Sequence, residues 1–256
     1  MGKLRILAII IVSLWPLIGT GDARALEAIY GVTQAGIPVV EITAEFDLNE
    51  QGYRMRSRSR AVGIGRIFAA HDIRSEVEGV WLGSGVDPKR FQAEGNWRGD
   101  QRRTVLLYRD GMPEALELER PEGAINQPVP ITARRGTVDT LSAFAWLSRI
   151  VMRTGGCDLS GPVFDGRRRL EWSSKSLGQA RIRHGGEEVD ALHCRLESRL
   201  VAGFRVGDDP ARAAEPRPAT AWLARIDARL PPIPIRVEFP STIFGTMRME
   251  LRHLAR

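Results

Sequence analysis

Two cysteines, four histidines, an aspartate set in a run of arginines and a row of alternating arginines are the residues of this 256-residue chain whose types and spacing could do chemistry. Cys157, His184, His193 and Cys194 together make a conceivable metal set. His193 and Cys194 are adjacent, however, and form neither a C-x-x-C nor an H-x-x-x-H pair, so no metal site is expected. In an exported chain the two thiols are expected to form one disulfide. Closing the loop from Cys157 to Cys194 would stabilise the fold by about 4 kcal/mol in the chain-entropy model.

No G-x-S-x-G, H-E-x-x-H or C-x-x-C string occurs, and no cofactor is expected. Gly63-Ile64-Gly65 lacks a third glycine and reads as a bulge or tight bend. His71 and Asp72 are neighbours, and neighbours in a strand point to opposite faces. The string Val163-Phe164-Asp165-Gly166-Arg167-Arg168-Arg169 has two readings. Asp165 could act as a general acid or base beside an arginine clamp, or Asp-Gly could make a turn followed by a solvated strand. Arg54, Arg56, Arg58 and Arg60 alternate strictly, which places all four on one face of a strand. That face is either a solvated exterior or an anion site.

The elements that must position these residues are mostly strands. Short alternating runs separated by Gly, Asp and Pro turns fall at 27–46 (two strands), 53–60, 62–69, 73–82, 91–97, 104–109 and 115–120. They resume at 168–174, 177–184, 189–201, 219–227, 233–239 and 247–254. A Pro-rich connector covers 121–136. Asp139 then offers an N-cap for a helix over 140–153, and Gly155-Gly156 a stop. The helix is apolar around most of its circumference, which predicts burial of Phe144 and Trp146. Residues 205–218 read as a solvated loop. The pattern predicts a mainly β fold, an antiparallel strongly curved sheet or open barrel with one substantial helix packed on it. Residues 26–256 are expected to form a single β-rich domain.

Lys3 and Arg5, the apolar run Ile6–Ile18 and Ala23-Arg24-Ala25 have the order of a cleavable export signal over residues 1–25. Periplasmic localisation follows as an expectation, with no membrane span after cleavage, since no later apolar run is long enough. Net charge is +6, carried almost wholly by Arg, with Lys only at 3, 89 and 175. An exported chain without a recognition motif makes nucleic acid an unexpected partner.

Four strings together resemble the domain-of-unknown-function family 3108, exported bacterial envelope proteins. They are Tyr30-Gly31-Val32 with Gly36-Ile37-Pro38, Asp139-Thr140-Leu141-Ser142-Ala143, the Val163–Arg169 string, and the closing 233–251. Thr140 departs from the proline more frequent there, which concerns only the helix cap. The resemblance implies an envelope location and a β-rich fold, and it transfers no catalytic residues. By looser analogy the architecture is similar to periplasmic lipoprotein carriers, whose curved sheet holds acyl chains.

Three functions remain open on the residues. The first is a non-enzymatic envelope protein binding a lipid or lipophilic small molecule in a curved-sheet cavity. Its contacts would be Arg54, Arg56, Arg58, Arg167 and Arg169 for an anionic headgroup, and Met247 and Met249 in an adaptable apolar wall. The second is a hydrolase of envelope polymer using Asp165 and a further carboxylate. The third is a structural partner of another envelope protein, joined through a sheet edge.

Overall fold

A computed structural model describes residues 26–119, 126–226, 231–241 and 245–255. The export-signal pattern of residues 1–25 lies outside the described residues.

Thirteen strands form one antiparallel sheet. In chain order they are β1 (Leu26–Gln34), β2 (Ile37–Leu48), β3 (Gly52–Ala61), β4 (His71–Leu82), β5 (Gly85–Trp97), β6 (Asp100–Arg109), β7 (Met112–Glu119), β8 (Leu159–Phe164), β9 (Arg169–His184), β10 (Glu187–Ala202), β11 (Arg217–Ala224), β12 (Ile233–Pro240) and β13 (Thr246–Ala255). Among the described residues three α-helices, α1 (Gly65–Ala69), α2 (Thr140–Thr154) and α3 (Pro210–Ala213), and one 3-10 turn (Ile131–Arg134) interrupt them. The sheet order is β7-β6-β5-β4-β3-β2-β1-β13-β12-β11-β10-β9-β8, so each strand lies beside its sequence neighbour except where β1 pairs with β13. The sheet is not closed: β7 and β8 are its two edges. The connector between them spans the gap instead. Gln127 N–H donates to the Phe204 carbonyl at 2.8 Å, and Val138 exchanges backbone hydrogen bonds with Pro162 and Phe164 on β8. Covering a sheet edge in this way removes a template for unwanted strand pairing.

Helix α2 occupies the hollow of the sheet. Asp139 caps its start, accepting from Ser142 N–H, and Gly155 in the left-handed region (φ 72°) ends it, donating to the Val151 carbonyl. Only a residue without a Cβ adopts that end conformation cheaply. The buried helix face is Ser142, Ala143, Ala145, Leu147, Ser148 and Val151, mostly small side chains that let the helix lie close to the strands. Phe144 is 42% exposed and Trp146 half-buried, a correction to the expected burial of both. The sheet covers one side of the helix, and these rings lie off the side built from small residues. The Trp146 indole instead donates to the Ser84 carbonyl at 2.9 Å. Arg149 lies over the Trp81 ring at 4.2 Å, a cation–π contact.

Cys157 and Cys194 are bonded, with Cα atoms 6.4 Å apart. The bond ties the segment after α2 to β10. It lies within a buried cluster with Leu147, Val151, Leu192, Leu196 and Leu223.

Three expected elements differ. Residues 62–69 are not a strand: Gly63 turns with φ 50° and α1 follows. Gly65 packs so tightly that a Cβ there would lie 2.1 Å from the Val39 carbonyl oxygen. Residues 168–174 and 177–184 belong to one strand, β9, in which the ladder skips Leu177 as a bulge opposite His193/Cys194. Strand β8 was not apparent, because its Ser-Gly-Pro centre carries weak strand propensity.

Candidate functional site

The inward faces of the strands change character along their length. Toward the turns at 49–51 and 83–84, the inward residues Tyr53, Met55, Val77, Phe46 and Phe91 are buried beneath α2. Toward the opposite end the inward residues of β3 to β5 are Ser57, Ser59, Ile73, Ser75 and Ala93, all half-buried. There the hollow is open.

A cavity of about 610 Å³ occupies this open end. One wall is Ile73, Phe91, Ala93 and Trp97 from β4 and β5, with Arg102 and Thr104 from β6. The facing wall is Leu200 of β10, the turn at 165–168 and the segment from 203 to 217. Residues from the two flanks of one sheet meet across this space because the sheet curls. A smaller apolar groove of about 240 Å³ adjoins it, with Thr140 in both linings and Phe144, Val163, Leu170 and Trp172 along it.

The cavity rim is predominantly cationic. Arg102, Arg167, Arg168, Arg205 and Arg217 line it with Glu94, Asp165 and Asp208. The Arg102 guanidinium sits over the Trp97 ring at 5.5 Å. Its buried Nε has no hydrogen-bond partner among the described residues. A buried donor in that state is destabilising and would gain from an acceptor. Asp165 accepts from the backbone N–H of Arg167 and Arg168 at 2.9 and 2.8 Å, and from the Arg168 guanidinium at 2.9 and 2.8 Å. This carboxylate therefore shapes the β8–β9 turn.

The structure brings Arg167 to the cavity but separates the other expected contacts. Arg54, Arg56 and Arg58 lie on the opposite face of β3 from Met55. There they form a ladder: Arg54 to Glu78, Arg56 to Glu45 and Glu76, Arg58 to Asp72, and Arg60 to Glu41. Hydrogen bonds from Arg58 hold the Asp72 carboxyl below its usual range. Alternation alone could not say which face was inward, and the acidic residues at the paired positions of β2 and β4 settled it. Arg169 pairs with Glu171 at 2.7 Å. Met249 packs against the core, while Met247 lines a separate groove beside α3. His71 and Asp72 do point to opposite faces. His71 stacks on Trp97 and bonds Ser59 Oγ at 2.9 Å. Its Nδ1 faces the Ala69 carbonyl at 2.9 Å, which can only accept, so Nδ1 carries a proton.

Sequence reasoning did not find Arg102 or the buried polar chain between β3 and the start of α2. In that chain Tyr53 O–H donates to Ser142 Oγ at 2.8 Å, and Ser142 O–H donates to Asp139 Oδ2 at 2.5 Å. Asp139 is fully buried, and burial pushes its carboxyl up to about 6. Burial likewise holds the Tyr53 and Tyr108 hydroxyls well above their usual range, so both stay neutral.

Among the described residues no helix is long and apolar enough to cross a membrane. Among solved structures, the chain is similar to the crystal structure of a β-barrel-like protein of domain of unknown function DUF1849 from Brucella abortus. The two share 14% identity at a TM-score of 0.54, over 90% of this chain and 96% of that one. At that identity the likeness concerns the fold. Comparison with curated proteins gives no match. The profile of the family described as protein of unknown function DUF3108 matches residues 27–252, and the chain belongs to that family.

Proposed function

We propose that this protein is a non-enzymatic envelope protein that binds an amphipathic, anionic lipophilic ligand in the open end of its curved sheet. The apolar part would lie along Ile73, Phe91, Trp97 and Leu200, and the head would meet Arg102 and its neighbours on the rim. The observation that carries this reading is the cavity of about 610 Å³ in which Ile73, Phe91, Trp97 and Leu200 stand beside Arg102, Arg167, Arg168, Arg205 and Arg217. Drug-sized ligands occupy sites of roughly 300–1,000 Å³, and the volume of this cavity falls in that range. The disulfide and the export-signal pattern of residues 1–25 support an extracytoplasmic, periplasmic location.

The test is displacement of a fluorescent fatty acid from delipidated protein. Saturable binding is expected, with Arg102→Gln weakening it roughly tenfold or more, as a charged hydrogen bond would. Ala93→Trp should block the cavity while circular dichroism stays unchanged. Absence of saturable binding to folded, delipidated protein would remove this function.

A further inference from the structure

The open end of the sheet carries a second feature, independent of any ligand in the cavity. Four large apolar side chains are exposed within two adjoining segments: Ile37 after the β1–β2 turn, and Ile64, Ile67 and Phe68 at α1. Ile67 is 79% exposed and Phe68 57%. Single exposed apolar residues are ordinary, but a group confined to one tip calls for a cause. The two segments are locked together. Val62 N–H donates to the Val39 carbonyl at 3.0 Å, and Gly65 lies against that same carbonyl with no room for a Cβ. Gly65 is the one buried residue of α1, so the short helix stands clear of the sheet.

Charge narrows the choice of partner. Residues 34–39 and 61–70 contain Arg66 and no acidic residue. The neighbouring turn adds Arg98, whose Nη2 donates to the Phe68 carbonyl at 2.8 Å and whose N–H donates to the Ala70 carbonyl at 2.7 Å. Among the described residues, neither Arg66 nor Arg98 forms an ion pair. The tip is thus convex, apolar at its point and cationic at its base. A protein partner would need a matching concavity and, for a standard interface, ~800 Å² on each side. A fluid bilayer needs no matching shape. Ile and Phe enter its headgroup–acyl boundary while arginines meet phosphates.

We propose that the α1 tip, with Ile67 and Phe68 at its point and Arg66 and Arg98 at its base, docks the protein on an anionic phospholipid bilayer. The same β5–β6 turn that holds the tip contributes Trp97 to the cavity, so docking would set the cavity mouth toward the membrane surface.

Flotation of the full chain with phosphatidylcholine vesicles, with and without phosphatidylglycerol, tests this. The protein should partition onto vesicles containing phosphatidylglycerol. Ile67→Ser/Phe68→Ser should lose roughly a hundredfold in partition coefficient, about tenfold per apolar side chain withdrawn. Arg66→Gln should lose roughly fivefold on the anionic vesicles only. Leu116→Ser, exposed elsewhere on β7, should change nothing. The double variant should keep the wild-type melting temperature and wild-type affinity for the fluorescent fatty acid, which separates failure of the tip from failure of the cavity. Equal partition of wild type and double variant, or no partition of the wild type, would overturn the proposal. So would a wild-type dimer that the double variant dissolves, since the occupant would then be a second copy of the chain.

Discussion

Replacing Asp139 by Asn should make the chain's stability less dependent on pH, by an amount the structure sets. Asp139 is fully buried at the N-cap of α2, and burial raises its carboxyl from 3.8 to about 6. Because the folded value lies above the unfolded one, the contribution is fully present below about pH 4 and is lost as pH rises through about 6. The shift is about two units, or roughly 3 kcal/mol between the ends of that window. Asn is as good an N-cap and carries no charge to bury. It does alter the bond from Ser142 O–H, which adds an offset to stability that does not vary with pH. Tyr53 and Tyr108 remain neutral throughout and contribute no slope there. Urea midpoints followed by tryptophan fluorescence from pH 4 to pH 8 measure the effect. Asp139→Asn should gain on the wild type by roughly 3 kcal/mol across the window and then run parallel to it. Curves that run parallel from pH 4 upward would refute the account of a buried, ionising carboxylate.

Two further outcomes follow from packing. Cys157→Ser should lower the urea midpoint by an amount worth up to about 4 kcal/mol, and adding Cys194→Ser should cost little more, because one bond is lost in either case; a thiol assay on denatured, unreduced protein should find no free thiol. Leu147→Ala, at a residue 1% exposed, should cost about 2–5 kcal/mol, whereas Phe144→Ala on the half-open face of the same helix should cost clearly less; equal midpoints for the two variants would show that the helix is not seated as described.

Much of this fold could be read from local pattern. Alternation placed most strands, and the Asp139 and Gly155 caps placed α2 within one residue, because capping is a local matter of backbone donors and acceptors. The disulfide was legible because two cysteines allow a single pairing. The orientation of an element toward the rest of the fold was not local. The helix is apolar nearly all round, so periodicity could not choose its buried side; the small residues Ser142, Ala143, Ala145 and Ser148 made the choice by allowing close approach. The run at 62–69 has strand-like composition, but Gly63 meets the Pro38 carbonyl and Gly65 the Val39 carbonyl on β2, which no sequence window contains.

The site lay between these extremes, and one stretch carried its signal. In Tyr53-Arg54-Met55-Arg56-Ser57-Arg58-Ser59-Arg60 the arginines mark the outer face once their acidic partners on β2 and β4 are identified. The inward residues are then Tyr53, Met55, Ser57 and Ser59, large and apolar for half the strand and small and polar for the rest. β4 repeats the change across the ladder, with Val77 opposite Met55 and Ser75 opposite Ser57. A helix filling the whole hollow would face large apolar side chains along the full strand. The switch to serine marks where coverage by α2 stops, and it is beyond that point that the cavity opens. What no strand could reveal alone is the facing wall, since six strands of the sheet separate β10, which carries Leu200, from β4, and Leu200 and the 165–168 turn reach the cavity only through the curl of the sheet.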